Sequence, residues 1–576
     1  MRSPRIIISF FLILNLFITG LGQSLPLLNA DEKVFYNGKI FTASLQEPYA
    51  EAVAVYKEKI LAVGNLNTVQ KAVSKNAVWI DLEGQTVLPG LIDSHTHAIK
   101  GGISLGIPNV YEQYLAPDSL FRFVSSHLQH KNSLTGDVLL VYGINITTWS
   151  SIAKLNALFN EGAFEQQPVF LRGSDGHTGW ANRSMLQKAG VTQKYLQSVP
   201  ASFRKFFGNQ SGEPDGFVAD SGMQRIFAFI PTDQTDYHAA AQKAMLYNNR
   251  HGITAWLDPS AADLGKSGPY PFLNAYSWLQ QHNQLHAHIA LTLVADANKD
   301  PQSQIGKLRS LQKKVNQEDL SIIGFKIFAD GVLEYPTQTA ALSKPYTNTG
   351  ERGNLLFDPA GFARFVSAAD REKILVHVHA IGDRAVTASL DGFEKARNEN
   401  GHSGIPHTIT HLQIVQPKDF HRFHDLDVLA SFQLLWAFAD ATTVDIVQPY
   451  IDSSLYKWQY PARSLLQSGA TICGASDWPV SSGNPFEAMA RGASREGSLG
   501  ILDATQQMPR MALLMAYTIN AARALMINGQ AGSIEKGKWA DMILVDRDVM
   551  TVSPEVLKDT KVLWTLFRGK IVYQAN

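Results

Sequence analysis

The stretch VLPGLIDSHTHAIK, residues 87–100, decides the fold. Pro89-Gly90 predicts a turn, and Leu91 to His97 then reads as a short strand ending in a His-x-His pair. Side chains two apart on a strand leave the same face, so His95 and His97 project together, with Asp93 behind them. Two neighbouring imidazoles begin a metal site, because neutral histidine is the commonest metal ligand. The chain supplies its own control in His286 and His288, a second His-x-His within LHAHIALTLVAD. There the pair precedes the apolar run. In a parallel barrel functional groups gather at the C-terminal ends of strands, so the second pair is expected at the opposite mouth in a structural or solvent-facing role.

Beyond this stretch, apolar strand-like runs alternate with helical ones, the βα rhythm of a parallel sheet. Gly252 to Asp258, Ile289 to Ala295, Ser321 to Phe328, Lys373 to His379, His407 to Leu412, Val428 to Leu434 and Thr471 to Ser476 bring the count of expected strands to eight. Right-handed closure of eight such units is a TIM barrel. The rhythm fails from Ile99 to about Asp236, so a long insertion after strand one is expected at the ligand mouth. Lys33 to Ala43, Ala52 to Val63 and Ala77 to Leu82 read as strands, as do Ala540 to Val545 and Lys561 to Tyr573. The fold class expected is therefore α/β, a (β/α)8 TIM barrel with a small composite β-sandwich built from both termini. The expected boundaries are 32–86 and 531–576 for the sandwich and 87–530 for the barrel, with the insertion at about 99–236.

Composition bounds the function. Of 576 residues 45% are hydrophobic and 18% charged, enough for a large core. Lys+Arg and Asp+Glu both number 51, so there is no electrostatic footprint for nucleic acid. Arg2 and Arg5 precede an apolar run from Ile6 to Thr19, the layout of a cleavable signal peptide over 1–22. A periplasmic or secreted protein is expected, with no membrane partner once the leader is cleaved; the alternative is retention as an uncleaved membrane anchor. Cys473 is the only cysteine, which excludes an intrachain disulfide and reads as a buried, inert thiol.

Chemistry-bearing residues stand at the predicted strand ends. Strand five ends VHVHAIGD with His377 and His379 on one face, strand six ends in His411, strand eight in Asp477, and strand four carries Lys326. Any one of these is ordinary; their shared mouth is what points to a site. The motifs VLPGLIDSHTH (87–97), FLRGSDGHTGWAN (170–182), FKIFADG (325–331), VHAIGDRAV (378–386), THLQIV (410–415), SDWPV (476–480) and GSIEKGKWADMILVD (532–546) together resemble the amidohydrolase superfamily, in its branch of N-substituted formamide deformylases.

The resemblance implies that His95, His97 and Asp477 bind one divalent metal, and that His379 and His411 bind a second or orient substrate. It also implies a carboxylated Lys326 bridging two metals, since an ammonium has only donors; the alternative is a lysine paired with Asp330 or another acid. The cofactor expected is zinc, one or two ions, with manganese, iron or nickel as alternatives. The activity implied is hydrolysis of a non-peptide carbon–nitrogen bond, an N-substituted amide or formamide, by metal-activated hydroxide with Asp477 as general acid/base. An aminohydrolase acting on a heterocycle and an inactive barrel serving as a binding module are the alternatives. The partners expected are a small-molecule substrate and, as the one assembly considered, a second copy in a homodimer.

Further residues are expected around the pocket. His177, Asp175 and Trp180 are assigned to substrate binding, with Tyr142 and Trp149 completing an aromatic wall. Asp383 and Arg384 are expected either to orient His379 or to close their turn by a salt bridge, and GVLEYPTQTAAL places Glu334 and Tyr335 near the mouth.

Overall fold

A computed structural model describes residues 28, 30–111, 113–128, 134–208, 212–231 and 235–575; the leader expected at 1–22 lies outside the described residues. Eight parallel strands form the barrel: Leu91–Asp93, Ile253–Asp263, His288–Val294, Leu320–Phe328, Leu375–Ala380, Thr408–His411, Leu429–Phe432 and Ile472–Gly474. Each pairs with the next in chain order. The ring is nearly closed by Ser94, whose N–H and Oγ both donate to the Gly474 carbonyl at 3.0 and 2.8 Å. These strands are buried on both faces, which is why they read as continuous β-branched runs without alternation. The covering helices are amphipathic. Pro359–Arg371 starts on an Asp358 cap and turns Phe362, Phe365, Val366 and Ala369 inward at helical spacing.

The first strand is shorter than predicted. It ends at Asp93 because the Asp93 carboxylate accepts the His95 N–H at 3.0 Å, drawing the chain out of the ladder. The next amides are then held by neighbours: Thr96 N–H by the Leu257 carbonyl and His97 N–H by the Trp478 carbonyl, each at 2.9 Å.

Both chain ends build one hydrogen-bonded sheet of eight strands. Thr86–Pro89 lies antiparallel to Met542–Val545 and parallel to Glu32–Phe41. Phe35 packs on Trp564, with ring centroids 5.3 Å apart, so the sheet curls around a core of its own. The expected boundary at residue 87 therefore moves: Thr86–Pro89 belongs to this sheet, and the barrel begins at Leu91. Gly90 is the crossing point. A Cβ there would lie 2.1 Å from Thr254 Oγ1, so no other residue fits.

Between the first two barrel strands the insertion forms its own sheet. Its strands, in order, are Phe217–Ala219, Thr178–Ala181, Val169–Gly173, Val138–Ile144 and Leu134–Thr135. Hydrophobic clusters cover both faces, and the turns of this sheet reach over the C-terminal mouth of the barrel.

Candidate metal centre and active site

The turn after strand one and the turn after strand eight are tied together by one buried carboxylate. Asp93 accepts from His95 N–H at 3.0 Å and from Ser476 N–H at 3.1 Å, and the Asp477 N–H donates to the His95 carbonyl at 2.8 Å. Asp477 (φ 56°) and His411 (φ 79°) both hold left-handed backbone that non-glycine residues seldom adopt. The outcome is convergence. Asp477 Oδ1 lies 3.2 Å from His95 Nε2 and 3.3 Å from His97 Nε2, and one ligand atom each from His95, His411 and Asp477 falls within 4.8 Å of the others.

Hydrogen bonds orient the rings. Gln433 Oε1 can only accept, so His411 donates from Nδ1 at 2.9 Å and leaves its Nε2 lone pair free. The same ring stacks on Trp436 with an interplanar angle of 2°. His95 Nδ1 lies 2.7 Å from His377 Nε2, and His97 Nδ1 lies 3.1 Å from Ser260 Oγ. His379 donates from Nε2 to the Gly331 carbonyl at 3.1 Å, and its ring stands 4.4 Å from that of His411. Lys326 is buried on strand four, its Nζ 5.0 Å from the Phe328 ring centre. The alternative pairing with Asp330 is not what the structure has. Asp330 is occupied by the N–H groups of Ala341, Ile381 and Gly382 at 2.9, 3.0 and 2.8 Å.

Electrostatics set the protonation states. Burial, followed by the Lys326 charge, pushes His95 down to about 3, and burial likewise holds His377, His379 and His411 well below the usual imidazole value. Asp477 goes the other way: burial opposes its charge, but His95 and His97 outweigh that and keep the carboxyl well below its ordinary value. Burial pushes Asp93 up and Lys326 down, each to about 7.

Neutral imidazoles facing a carboxylate are the protonation state a divalent cation requires. Asp477 Oδ1 is buried without a hydrogen bond. Ligand atoms about 2.1 Å from a tetrahedral ion sit roughly 3.4 Å from one another, close to the spacings between Asp477 Oδ1 and the two imidazoles. The residues present fit a metal ion.

The cluster floors a cavity of about 870 Å³. His177 and Asp175 line it: the Asp220 carboxylate accepts from His177 Nδ1 at 2.8 Å, and Asp175 accepts from the N–H groups of His177 and Thr178. Trp180 does not line it. That ring is fully buried in the insertion core against Phe159, because strand Thr178–Ala181 turns it away from the mouth. Trp149 is likewise internal, donating to Thr178 Oγ1 at 2.8 Å, and Tyr142 packs under Arg172. The aromatic lining comes instead from Phe328, Trp436, Phe438 and Tyr460. Neither expectation for Asp383 and Arg384 holds: Asp383 accepts from Ser343 N–H and Gln416, and Arg384 donates to the Gly353 carbonyl. Glu334 lines the cavity and accepts from Gln413 at 3.1 Å, whereas Tyr335 stacks on Tyr450. Cys473 is buried, its thiol pushed up to about 12 by burial.

Sequence reasoning left out His377, Gln433, Trp436, Ser260 and Arg172. His377 was visible as the first histidine of VHVH, sharing a face with His379. The others carry no local signal: Arg172 and Ser260 stand on the strands Val169–Gly173 and Ile253–Asp263, and Gln433 and Trp436 on one short segment after strand seven.

A model of the amidohydrolase family matches residues 78–573. Protein LONG AFTER FAR-RED 3 of Arabidopsis thaliana is 28% identical, covering 93% of this chain and 91% of its own. The N-substituted formamide deformylase of Arthrobacter pascens is 24% identical over 93% of this chain and 97% of its own. In fold, the chain is similar to an uncharacterized metal-dependent hydrolase from Pyrococcus horikoshii, at TM-score 0.69 and 23% identity, covering 91% of this chain and 99% of that one. This chain belongs to the amidohydrolase family.

Proposed function

We propose that the protein hydrolyses a carbon–nitrogen bond of a small N-substituted amide or formamide. The observation that carries this reading is the convergence of His95, His97, His411 and Asp477 on one point at the floor of a deep cavity. The N-substituted formamide deformylase among the relatives supports the bond type. His95, His97 and Asp477 would hold one divalent ion, with His411 and His379 beside it; the nitrogen and oxygen donors suit zinc, or manganese, iron or nickel. Bound there, the ion would polarise the scissile carbonyl and acidify water.

The chain's own residues do the rest. Asp477 is ionised, so it accepts the proton of the attacking water on its carboxylate and returns it to the departing nitrogen. His377 and Gln433 fix the rings of His95 and His411, so no reorientation is needed during turnover. Burial favours the neutral amine of Lys326, which is the form that adds CO₂, losing a proton, to become an oxygen-bearing carbamate ligand. His177 and Asp175 contact substrate at the insertion side of the mouth.

The test is hydrolysis of a panel of N-formyl and N-acyl amines by protein purified without chelator, together with metal atoms per chain. Amine release that stops on chelation and returns with zinc is expected; metal-free protein with no activity that any of these ions restores would overturn the reading.

A further inference from the structure

Two cations, Arg172 and Lys100, stand on the cavity wall, and neither makes an ion pair among the described residues. Arg172 stands on strand Val169–Gly173, its guanidinium 4.8 Å from the Tyr142 ring centre and 5.7 Å from that of Phe227. These faces hold the fork in one plane. Its Nε is buried without a hydrogen bond, and the arginine makes no ion pair or hydrogen bond among the described residues. Gly176 lets it lie close under the loop: a Cβ there, at φ +71°, would be 3.2 Å from Nη2. Lys100 sits on helix Ala98–Ser104, one turn after His97, and opens into the same cavity. It too lacks an ion pair among the described residues; desolvation and the Arg172 charge disfavour its ammonium, while the Asp258 and Asp477 carboxylates favour it.

Four of the acids that line the same cavity are already engaged, while Asp477 faces the metal cluster. Asp175 takes the His177 and Thr178 amides, Glu334 takes Gln413, Asp440 takes Thr442 and Thr443, and Glu487 takes Asn484. Asp258, the carboxylate drawn towards Lys100, accepts from Tyr276 Oη at 2.8 Å. Two like charges beside each other and a donor without an acceptor are both unfavourable. A planar oxyanion relieves both, and a guanidinium fork matches a carboxylate with two parallel hydrogen bonds.

We propose that Arg172, with Lys100 beside it, is a subsite for a carboxylate on the substrate, so that the amide cleaved is an N-acylated amino acid rather than a neutral N-substituted formamide. This rests on the hydrolase reading and narrows it. Lys100 follows His97 by one turn, so the anion subsite adjoins the metal cluster and would anchor the substrate with its amide over Asp477.

The test compares N-formylphenylalanine with N-formylphenethylamine, which differs only by lacking the carboxylate. The wild-type kcat/KM should favour the acid by tenfold or more. Arg172→Gln should lower that ratio at least tenfold, mainly through KM, and Arg172→Lys should fall between. A wild-type ratio near one, or a ratio unchanged in Arg172→Gln, overturns the subsite. If Arg172→Gln does not fold, Lys100→Gln takes its place, with a threefold or greater fall expected and an unchanged ratio overturning it. If neither compound is hydrolysed, these two formamides are excluded as substrates without touching the subsite, and equilibrium dialysis decides it. Retention of N-formylphenylalanine but not N-formylphenethylamine by wild type, lost in the variant, carries it; no retention overturns it.

Discussion

The two His-x-His pairs stand at opposite mouths of one barrel and have opposite chemistry. At the C-terminal mouth His95 is neutral, pushed down to about 3, with both ring nitrogens facing side chains of the cluster. At the N-terminal mouth His288 is pushed up to about 9 despite burial, because Asp541 and Asp319 flank it at 2.8 and 2.7 Å. Asp541 comes from the composite sheet, so His288 is a charged rivet between sheet and barrel. The same three-residue pattern gives a ligand pair or a structural ion pair according to what surrounds it. A histidine among other imidazoles and one carboxylate loses its proton; a histidine between two carboxylates keeps it.

The difference can be broken most sharply at the metal end. His95→Asn and Asp477→Asn should each reduce amide hydrolysis by about 10³-fold. They should differ in bound metal, with His95→Asn losing more, as read by elemental analysis; full activity in either variant would remove that residue from the centre. At the other mouth, His288→Gln should leave metal content and kcat intact. It should destabilise the fold by about 3 kcal/mol, since it leaves a buried carboxylate uncompensated, and chemical denaturation would show it.

The pH dependence follows the same contrast. The folded value of His288, about 9, lies above the ~6.5 of an unfolded histidine. Its stabilisation is therefore complete below pH ~6.5 and is lost as pH rises through about 9, a drift of roughly 3 kcal/mol at most. Denaturation midpoints across that window should fall for wild type and stay flatter for His288→Gln; equal slopes would break the rivet. The smallest effect is expected for His377→Phe, which removes the partner of His95 Nδ1 but no ligand. Metal affinity should weaken about 10- to 100-fold, measured by competition with a chelator, and an unchanged affinity would make His377 a packing residue.

Much of this was legible from the chain. All eight barrel strands and the insertion were readable from apolar runs and the gap in their rhythm, because buried parallel strands are continuous in sequence. That His95, His97, His379, His411 and Asp477 meet at one cavity was readable because strand ends of one direction share a mouth. Trp180 was misplaced for a reason of the same kind. The sheet it lies on belongs to the insertion, whose register no barrel rule predicts. Thr86–Pro89 read as the approach to the barrel, yet its partner strand is some 450 residues away.

What the sequence alone determined is the order of elements, the barrel class and the side-chain types that stand at the strand ends, because periodicity and position are properties of neighbouring residues. What only the tertiary structure decided is which groups meet: Asp93 holding two turns together, His377 behind His95, Asp330 spent on backbone amides, and Arg172 near Lys100. Those facts depend on distances between segments hundreds of residues apart. Charge, protonation and metal affinity follow such distances, and only the closed fold sets them.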